Sequence, residues 1–212
     1  MKVSSVIYVS FGSVVIHSDQ QLLETAFALE ASGHPFIWVV KRHDSSSSDE
    51  AWLPIGFEER MKGKGLIIRG WAPQVVILNH PSIGAFVTHC GWNSVQEGVH
   101  AGLPMITWPS FAEQFWNEKL ITDVLKIGAG IGVMEWVGWM QKEWPFVKRE
   151  DIEKAIRRVM DGGEEADGMR KRAKELGKIA KGVVDVGGSS YNDLTRLIEE
   201  LKTCVQQQNN QH

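Results

Sequence analysis

The chain has 212 residues, of which 43% are hydrophobic and 23% are charged. This is enough for one domain with a good core, and too little for two ordinary domains. The 23 basic and 26 acidic residues give a formal net charge of −3, whereas nucleic-acid-binding proteins usually show a basic excess. Cys90 and Cys204 suggest no disulfide framework, so we expect a reducing, cytoplasmic compartment.

The N-terminus predicts neither a signal peptide nor a membrane anchor. Its apolar stretch covers only about six residues and contains Ser. No other run approaches the length of a membrane span. Because a buried strand is predicted almost directly after Met1 and Lys2, we expect the chain to be a fragment of a longer protein.

In the first half of the chain, predicted strands alternate with predicted helices. Val6 to Phe11 is β-branched and aromatic, which predicts a buried strand. A helix begins after Ser18, which forms a capping box with Gln21, and stops at Gly33. In chain order there follow a strand over 36–40, a polar surface loop over 44–50, a strand over 66–69, a helical turn around 75–78 and a strand over 83–88.

The second half continues the alternation and then becomes helical. Its predicted elements are a helix over 94–100, a strand over 104–108, a helix over 113–124, a strand over 130–133, helices over 148–160 and 164–184, and a last helix capped by Ser190. That last helix carries an apolar stripe of Leu194, Leu197, Ile198 and Leu201. Strands alternating with helices indicate a single α/β domain over 1–212, with a Rossmann-like parallel sheet and helices on both faces.

Four loops follow predicted strands: residues 12–13, 70–74, 89–94 and 109–114. In open parallel sheets, ligands bind beyond the carboxyl ends of the strands, at the point where the strand order reverses. These loops are therefore the candidate functional loops.

The loop over 89–94 joins a strand to a helix. Gly91 lets the backbone approach a ligand closely, and His89 could donate to a phosphate oxygen. Asn93 and Ser94 stand where the first free N–H groups of the helix point outward, a position that favours phosphate. These features predict a diphosphate site, but Ser94 and Glu97 could equally form a capping box without any ligand.

Other chemistries fit the sequence less well. His80, His89, Cys90 and His100 lack the close paired spacing of a zinc site, so no metal is predicted. A G-x-S-x-G elbow is absent, and no G-x-G-x-x-G follows the first strand, which disfavours a serine hydrolase and a nicotinamide dinucleotide fold. We predict no cofactor.

Two further loops carry binding candidates. Pro73 stiffens the loop around Trp71, whose indole could stack on a flat base with a gain of roughly 1–3 kcal/mol. The competing interpretation is that Trp71, like most of the nine tryptophans, belongs to the core or is half-buried. Glu113 and Gln114 combine an acid and an amide that suit paired sugar hydroxyls, although a polar first helical turn would look the same.

Residues 71–114 form a 44-residue segment that begins WAPQ, contains HCGWNS and Glu97, and closes with Glu-Gln. This segment resembles the signature box of plant family 1 UDP-glycosyltransferases of secondary metabolism. The resemblance extends from SFGS near the start to GGSSYNDLTRLIEEL near the end. Gln96 is a departure, since Leu is commoner there, and we expect it to alter packing more than binding.

The resemblance implies a fold and a set of binding residues. The fold is the C-terminal half of a GT-B fold, in which two Rossmann-like domains face each other across a cleft. The implied contacts are Trp71 and the Ala72 backbone for uracil, Gln74 and Glu97 for ribose, Ser13, His89, Asn93 and Ser94 for the diphosphate, and the Trp92 backbone, Glu113 and Gln114 for the sugar. A closing Gln resembles members that use glucose.

The resemblance also implies an activity for the full-length protein. That activity is inverting transfer of a hexose from UDP-glucose to a hydroxyl of a small plant metabolite such as a flavonoid or triterpenoid. The family's general-base His and its Asp partner lie in the N-terminal domain, so this chain is expected to lack the base and to be inactive alone. His17 does not match that motif and is expected to be a surface loop residue.

The predicted last helix, 190–204, would pack on that missing N-terminal domain. Its apolar stripe would then be uncovered here, or covered by dimerisation. Two alternatives remain at this point. One is a stand-alone, non-catalytic UDP-sugar-binding module, and the other is a sugar-nucleotide epimerase, which would need carboxylates at different positions.

Overall fold

Six parallel strands form one sheet in the computed structural model, which describes residues 3–42, 52–138 and 144–209. The strands are β1 (Val6–Ser10), β2 (Phe36–Val40), β3 (Gly65–Arg69), β4 (Ile83–Thr88), β5 (Met105–Thr107) and β6 (Gly128–Gly130). Their order is β3-β2-β1-β4-β5-β6, with every pair parallel. The chain moves outward from β1 to β3 and then returns to place β4 on the other side of β1. The strand order therefore reverses between β1 and β4, and a crevice is expected at their carboxyl ends.

Helices follow most of the strands. They are α1 (Asp19–Ser32), α2 (Phe57–Arg60), α3 (Gln74–Leu78), α4 (Trp92–Ala101), α5 (Gln114–Lys119) with a π-helical continuation (Leu120–Val124), α6 (Arg149–Met160), α7 (Glu164–Gly182) and α8 (Ser189–Asn209).

The core lies on both faces of the sheet, because successive strand residues point to opposite sides. On one face Ile7 and Val9 of β1 belong to a cluster that includes buried residues of α1 and α6. On the other face Val6 and Tyr8 belong to a cluster with buried residues of α3, α4 and α7. This confirms the predicted parallel α/β sheet with helices on both faces.

Local signals placed some helix ends correctly and others not. The Ser18 cap of α1 is confirmed, since the Gln21 N–H donates to Ser18 Oγ at 3.2 Å, and Gly33 ends the helix at φ 72°. In contrast, α8 begins at Ser189, so Ser190 lies inside its first turn, and the Asn192 N–H bonds the carbonyl of the preceding Gly188.

The last strand was predicted too late in the sequence. It was expected over 130–133 but spans Gly128–Gly130. Gly128 lies directly against the Met105 carbonyl of β5, a closeness that a Cβ atom would prevent. The apolar residues after Gly130 led to the later prediction, whereas the residues that pair with β5 are Gly128, Ala129 and Gly130.

The segment between β2 and β3 contributes to the core. Residues 52–60 were not predicted, yet Trp52 and Phe57 are fully buried in the core and α2 starts at Phe57. The polar loop predicted over 44–50 lies outside the described residues.

The helix α8 differs from the others in its exposure. Every side chain described between Ser189 and Gln207 is exposed. The predicted apolar stripe is among them, with Leu194 and Leu201 each more than half exposed. The stripe is therefore not covered by any part of the chain that the structure describes.

Candidate functional site

A cavity of about 400 Å³ opens at the carboxyl ends of β1, β2 and β3. Four of the residues singled out from the sequence line it: Ser13, Trp71, Ala72 and Gln74. The remaining candidates follow β4 and β5, on the other side of the switch point between β1 and β4. The loops predicted to be functional are thus at one edge of the sheet, as parallel topology requires.

Trp71 is exposed over 83% of its surface at the wall of this cavity. Core burial, the competing interpretation, applies instead to Trp38, Trp52 and Trp108, which are almost fully buried. Gly70 precedes the indole at φ 106°, a conformation that side chains other than glycine rarely adopt. The turn therefore leaves a large apolar ring facing solvent, where a flat ligand could stack on it.

Gln74 connects the Trp71 loop to helix α4. Its Nε2 donates to Glu97 Oε2 at 2.6 Å and to Ser94 Oγ at 3.3 Å. Tyr8 Oη makes a longer bond of 3.4 Å to Gln74 Oε1. Burial is the main reason that the pKa of Tyr8 is raised to about 12, so its phenol stays protonated and can donate. Gln74 thereby fixes one oxygen of the Glu97 carboxylate.

The start of α4 has no side-chain cap. The helix begins at Trp92, and its N-cap residue is Gly91, which has no side chain. The capping-box alternative for Ser94 and Glu97 is therefore wrong, because Ser94 is the third helical residue and both side chains are bonded to Gln74. The N–H groups of Asn93 and Ser94 occupy the positions that a capping side chain would satisfy, so they can bind an anion.

His89 is enclosed between two glycines. A Cβ atom at Gly12 would lie 2.6 Å from His89 Cε1, and one at Gly91 would collide with His89 Nε2. Burial lowers the pKa of His89 to about 4, and the Glu113 carboxylate opposes this with a smaller effect. The ring is therefore neutral at pH 7. It can donate one hydrogen bond to a ligand but brings no positive charge.

His17 is not the surface residue that its place before a helix cap suggested. It is 7% exposed, lines the cavity, and packs against the rings of both Phe11 and Trp108. Neither ring nitrogen has a hydrogen-bond partner among the described residues. Burial, with a further contribution from His89, lowers the pKa of His17 to about 3.

Among the described residues, no three His, Cys, Asp or Glu side chains are grouped so that they could hold a metal ion. In the same residues, no helix is both long enough and apolar enough to span a membrane.

Comparison with known proteins identifies the family. The model of the family described as "UDP-glucoronosyl and UDP-glucosyl transferase" matches residues 3–169. This chain belongs to the UDP-glycosyltransferases.

Individual relatives cover nearly the whole chain. It is 58% identical to a scopoletin glucosyltransferase of Nicotiana tabacum over 202 residues, which are 95% of this chain and 41% of the relative. The chain thus spans about 40% of the length of the curated relatives that it matches.

Solved structures agree with this assignment. Glycyrrhiza uralensis UGT73P12, complexed with glycyrrhetinic acid 3-O-monoglucuronide, is 51% identical with a TM-score of 0.90, over 99% of this chain and 43% of that one. Phytolacca americana UGT2, complexed with UDP-2fluoro-glucose and pterostilbene, is 37% identical with a TM-score of 0.80, over 94% of this chain and 42% of that one. The fold is therefore the Rossmann-like fold of GT-B glycosyltransferases.

In this UDP-glycosyltransferase the pair Glu113 and Gln114 is divided. Gln114 is 3% exposed, and its Oε1 accepts from the N–H groups of Ser110 at 2.8 Å and Phe111 at 3.1 Å. Glu113 is exposed and makes no capping bond. Gln114 therefore closes its own loop, and its carbonyl oxygen is already used. Gln114 is therefore not simply part of an exposed polar turn, and its contact with a sugar hydroxyl stays a prediction.

One residue that supports the site escaped the sequence analysis. Asn117 is buried, and its Nδ2 donates to the Cys90 carbonyl at 2.8 Å. Cys90 adopts φ 65°, which is rare for a residue other than glycine. The bond holds this turn just before the start of α4. No local pattern signals it, because the two residues are on different elements.

Proposed function

We propose that this chain is the donor-binding half of a UDP-glucose-dependent glycosyltransferase. The observation that carries the proposal is the uncapped start of α4, which the bond from Gln74 to Ser94 connects to a cavity with the exposed Trp71 at its wall. A site with bare helical N–H groups at one end and a free indole at the other suits a ligand that joins a diphosphate to a flat base.

The ligand would be held in three parts. Uracil would stack on Trp71, with its edge read by the backbone of Ala72. The ribose hydroxyls would be bound by Glu97, whose carboxylate Gln74 orients. The diphosphate would be bound by Ser13, His89 and the N–H groups at the start of α4, and the sugar by the Trp92 backbone, Glu113 and the amide of Gln114.

In the full-length protein we propose inverting transfer to a hydroxyl of a small plant metabolite. The acceptor oxygen forms a bond to the anomeric carbon as the bond from that carbon to the diphosphate oxygen breaks. The acceptor proton passes to a base outside this chain, and UDP leaves with the bonding electrons. The start of α4 and His89 stabilise the charge that develops on the leaving diphosphate.

The remainder of the longer protein would supply that base and the acceptor pocket. The relatives are more than twice as long as this chain, which leaves room for a second domain. The uncovered stripe of α8 would pack on that domain, with dimerisation as the competing way to cover it. Both cysteines are free thiols, which supports a cytoplasmic location.

Titration calorimetry of the folded 212-residue chain tests this proposal. We expect UDP and UDP-glucose to bind with a dissociation constant on the order of 10⁻⁴ M or weaker, because the second domain does not enclose the ligand. ADP has a similar charge but a larger base, and should bind several-fold more weakly. Absence of heat with millimolar UDP, or equal binding of ADP, would contradict the proposed donor site.

A further inference from the structure

The proposed diphosphate subsite lacks charge where it would be expected. A diphosphate carries more than one negative charge at neutral pH, yet the nearby His89 and His17 are both neutral there, because burial lowers their pKa values to about 4 and about 3. Bare helical N–H groups supply only about half a positive charge. A further cation would make the subsite electrostatically complementary.

Lys41 is the one fully cationic residue among the described residues that line the cavity, and none of those lining residues is acidic. It directly follows β2 (Phe36–Val40), at the same edge of the sheet as the candidate loops. Among the described lining residues, no carboxylate offsets its positive charge.

The ammonium group of Lys41 is held next to Ser13, one of the proposed phosphate residues. Its Nζ donates to the Ser13 carbonyl at 2.7 Å. The residue before Ser13, Gly12, packs directly on the His89 ring. A continuous series of contacts therefore joins Lys41 to His89 through the loop after β1.

The next residue along the chain is less suited to this role. Arg42 is paired with Asp19 at 3.4 Å, and its guanidinium lies 5.6 Å from the centre of the Trp52 ring. Lys41 by contrast has three N–H donors, of which the Ser13 carbonyl takes one. The others can turn toward a ligand without breaking the bond to the loop.

We propose that Lys41 binds the diphosphate of the donor directly and supplies the positive charge of that subsite. This inference rests on the proposed UDP-sugar function and adds a binding residue to it. Lys41 contacts the phosphate oxygens while anchoring the Ser13 loop, so both the charge and the loop position depend on one side chain.

Titrating UDP and uridine into matched variants tests the role of Lys41. Lys41→Met should weaken UDP binding about five- to tenfold and change uridine binding less than about twofold, because uridine has no phosphate. Lys41→Arg should retain most of the UDP affinity. Lys178→Met, which removes an exposed lysine of α7, is the charge-matched control and should bind UDP as the wild type does.

Ionic strength separates a direct contact from a purely structural role in the loop. Wild-type affinity for UDP should fall as salt rises from about 0.05 M to about 0.5 M, and that fall should be shallower in Lys41→Met. Equal salt dependence in both proteins, an unchanged UDP affinity, or an equal loss for uridine would each overturn the proposal. If the wild type does not bind UDP, the proposed donor-binding function is wrong. If the wild type binds UDP and Lys41→Met binds it equally well, only the role of Lys41 is wrong.

Discussion

The two sides of the proposed site are built in different ways. The buried side consists of His89, Cys90, Gln114 and Asn117, whose polar groups are largely bonded to or enclosed by the protein itself. The exposed side is the loop around Trp71, whose indole the described chain leaves largely uncovered. The buried side is therefore preorganised before a ligand arrives, whereas the exposed side is completed by the ligand.

This difference predicts where a substitution is felt. On the buried side a lost hydrogen bond leaves a partner that water cannot reach, so the free energy of unfolding should fall. On the exposed side the same size of change should leave the fold intact and alter only binding. If this contrast holds, losing a buried hydrogen bond should lower the free energy of unfolding far more than removing the exposed indole.

Asn117→Ala should produce the largest effect. It removes the donor to the buried Cys90 carbonyl and releases a turn held at φ 65°. We expect the free energy of unfolding, measured by urea denaturation, to fall by about 2–3 kcal/mol. UDP affinity should fall as well, because the turn precedes the start of α4.

The matched control is Asn79→Ala. Asn79 Nδ2 also donates to a backbone carbonyl at 2.8 Å, that of Val75, but the bond is exposed to solvent. We expect the control to lose no more than about 0.5–1 kcal/mol, since water replaces the lost donor. Equal losses in the two variants would show that burial does not set the difference between the two sides.

His17, which is buried and interacts with His89 of the buried side, should make the free energy of unfolding depend on pH. Its pKa is about 3 in the folded chain and near the ordinary 6.5 when unfolded, so the unfolded chain takes up the proton first as pH falls. The stability gained by keeping His17 neutral is complete above pH 6.5 and is lost progressively toward pH 3. Between pH 7 and pH 5 this loss should reach about 2 kcal/mol.

His17→Leu should remove that part of the pH dependence. It replaces a ring whose nitrogens have no hydrogen-bond partner in the described part of the chain, so stability at pH 7 should change little or improve. Val15→Ala, at a buried residue nearby in sequence, should lower the free energy of unfolding at both pH 7 and pH 5. Its change in stability between the two pH values should equal that of the wild type. If stability falls equally between pH 7 and pH 5 in His17→Leu and in the wild type, the fold does not keep His17 neutral.

The sequence predicted the framework because its signals are local. Alternation of apolar runs located five of the strands within about two residues, and the Ser18 cap was correct. The sequence prediction was wrong where contact with a residue far along the chain determines burial or strand position. His17 is buried against Trp108, far along the chain, and Gly128 pairs with Met105 of β5 so closely that a Cβ atom would not fit.

The candidate site shows the same division. The loop over 89–94 could be recognised as a helix start, but Ser94 was also a plausible cap, and only the structure showed that Gly91 holds that position. Lys41 was overlooked because a single lysine after a strand looks like any solvated charge. Its significance depends on the wall of the cavity, which four separate segments of the chain contribute.

Trp71→Ala should have the smallest effect on stability and a clear effect on binding. The side chain is 83% exposed, so its removal should change the free energy of unfolding by no more than about 0.5 kcal/mol. Loss of stacking on uracil should weaken UDP binding by about 1–3 kcal/mol, enough to make it undetectable for a weak ligand. Calorimetry with UDP and urea denaturation on the same preparation give the two values.

Trp116→Ala is the matched control, because it removes another exposed indole that does not line the cavity. It should change neither the free energy of unfolding nor the affinity for UDP. Unchanged UDP affinity in Trp71→Ala would remove the base-stacking role, and a large loss of stability would show that the exposed side also supports the fold.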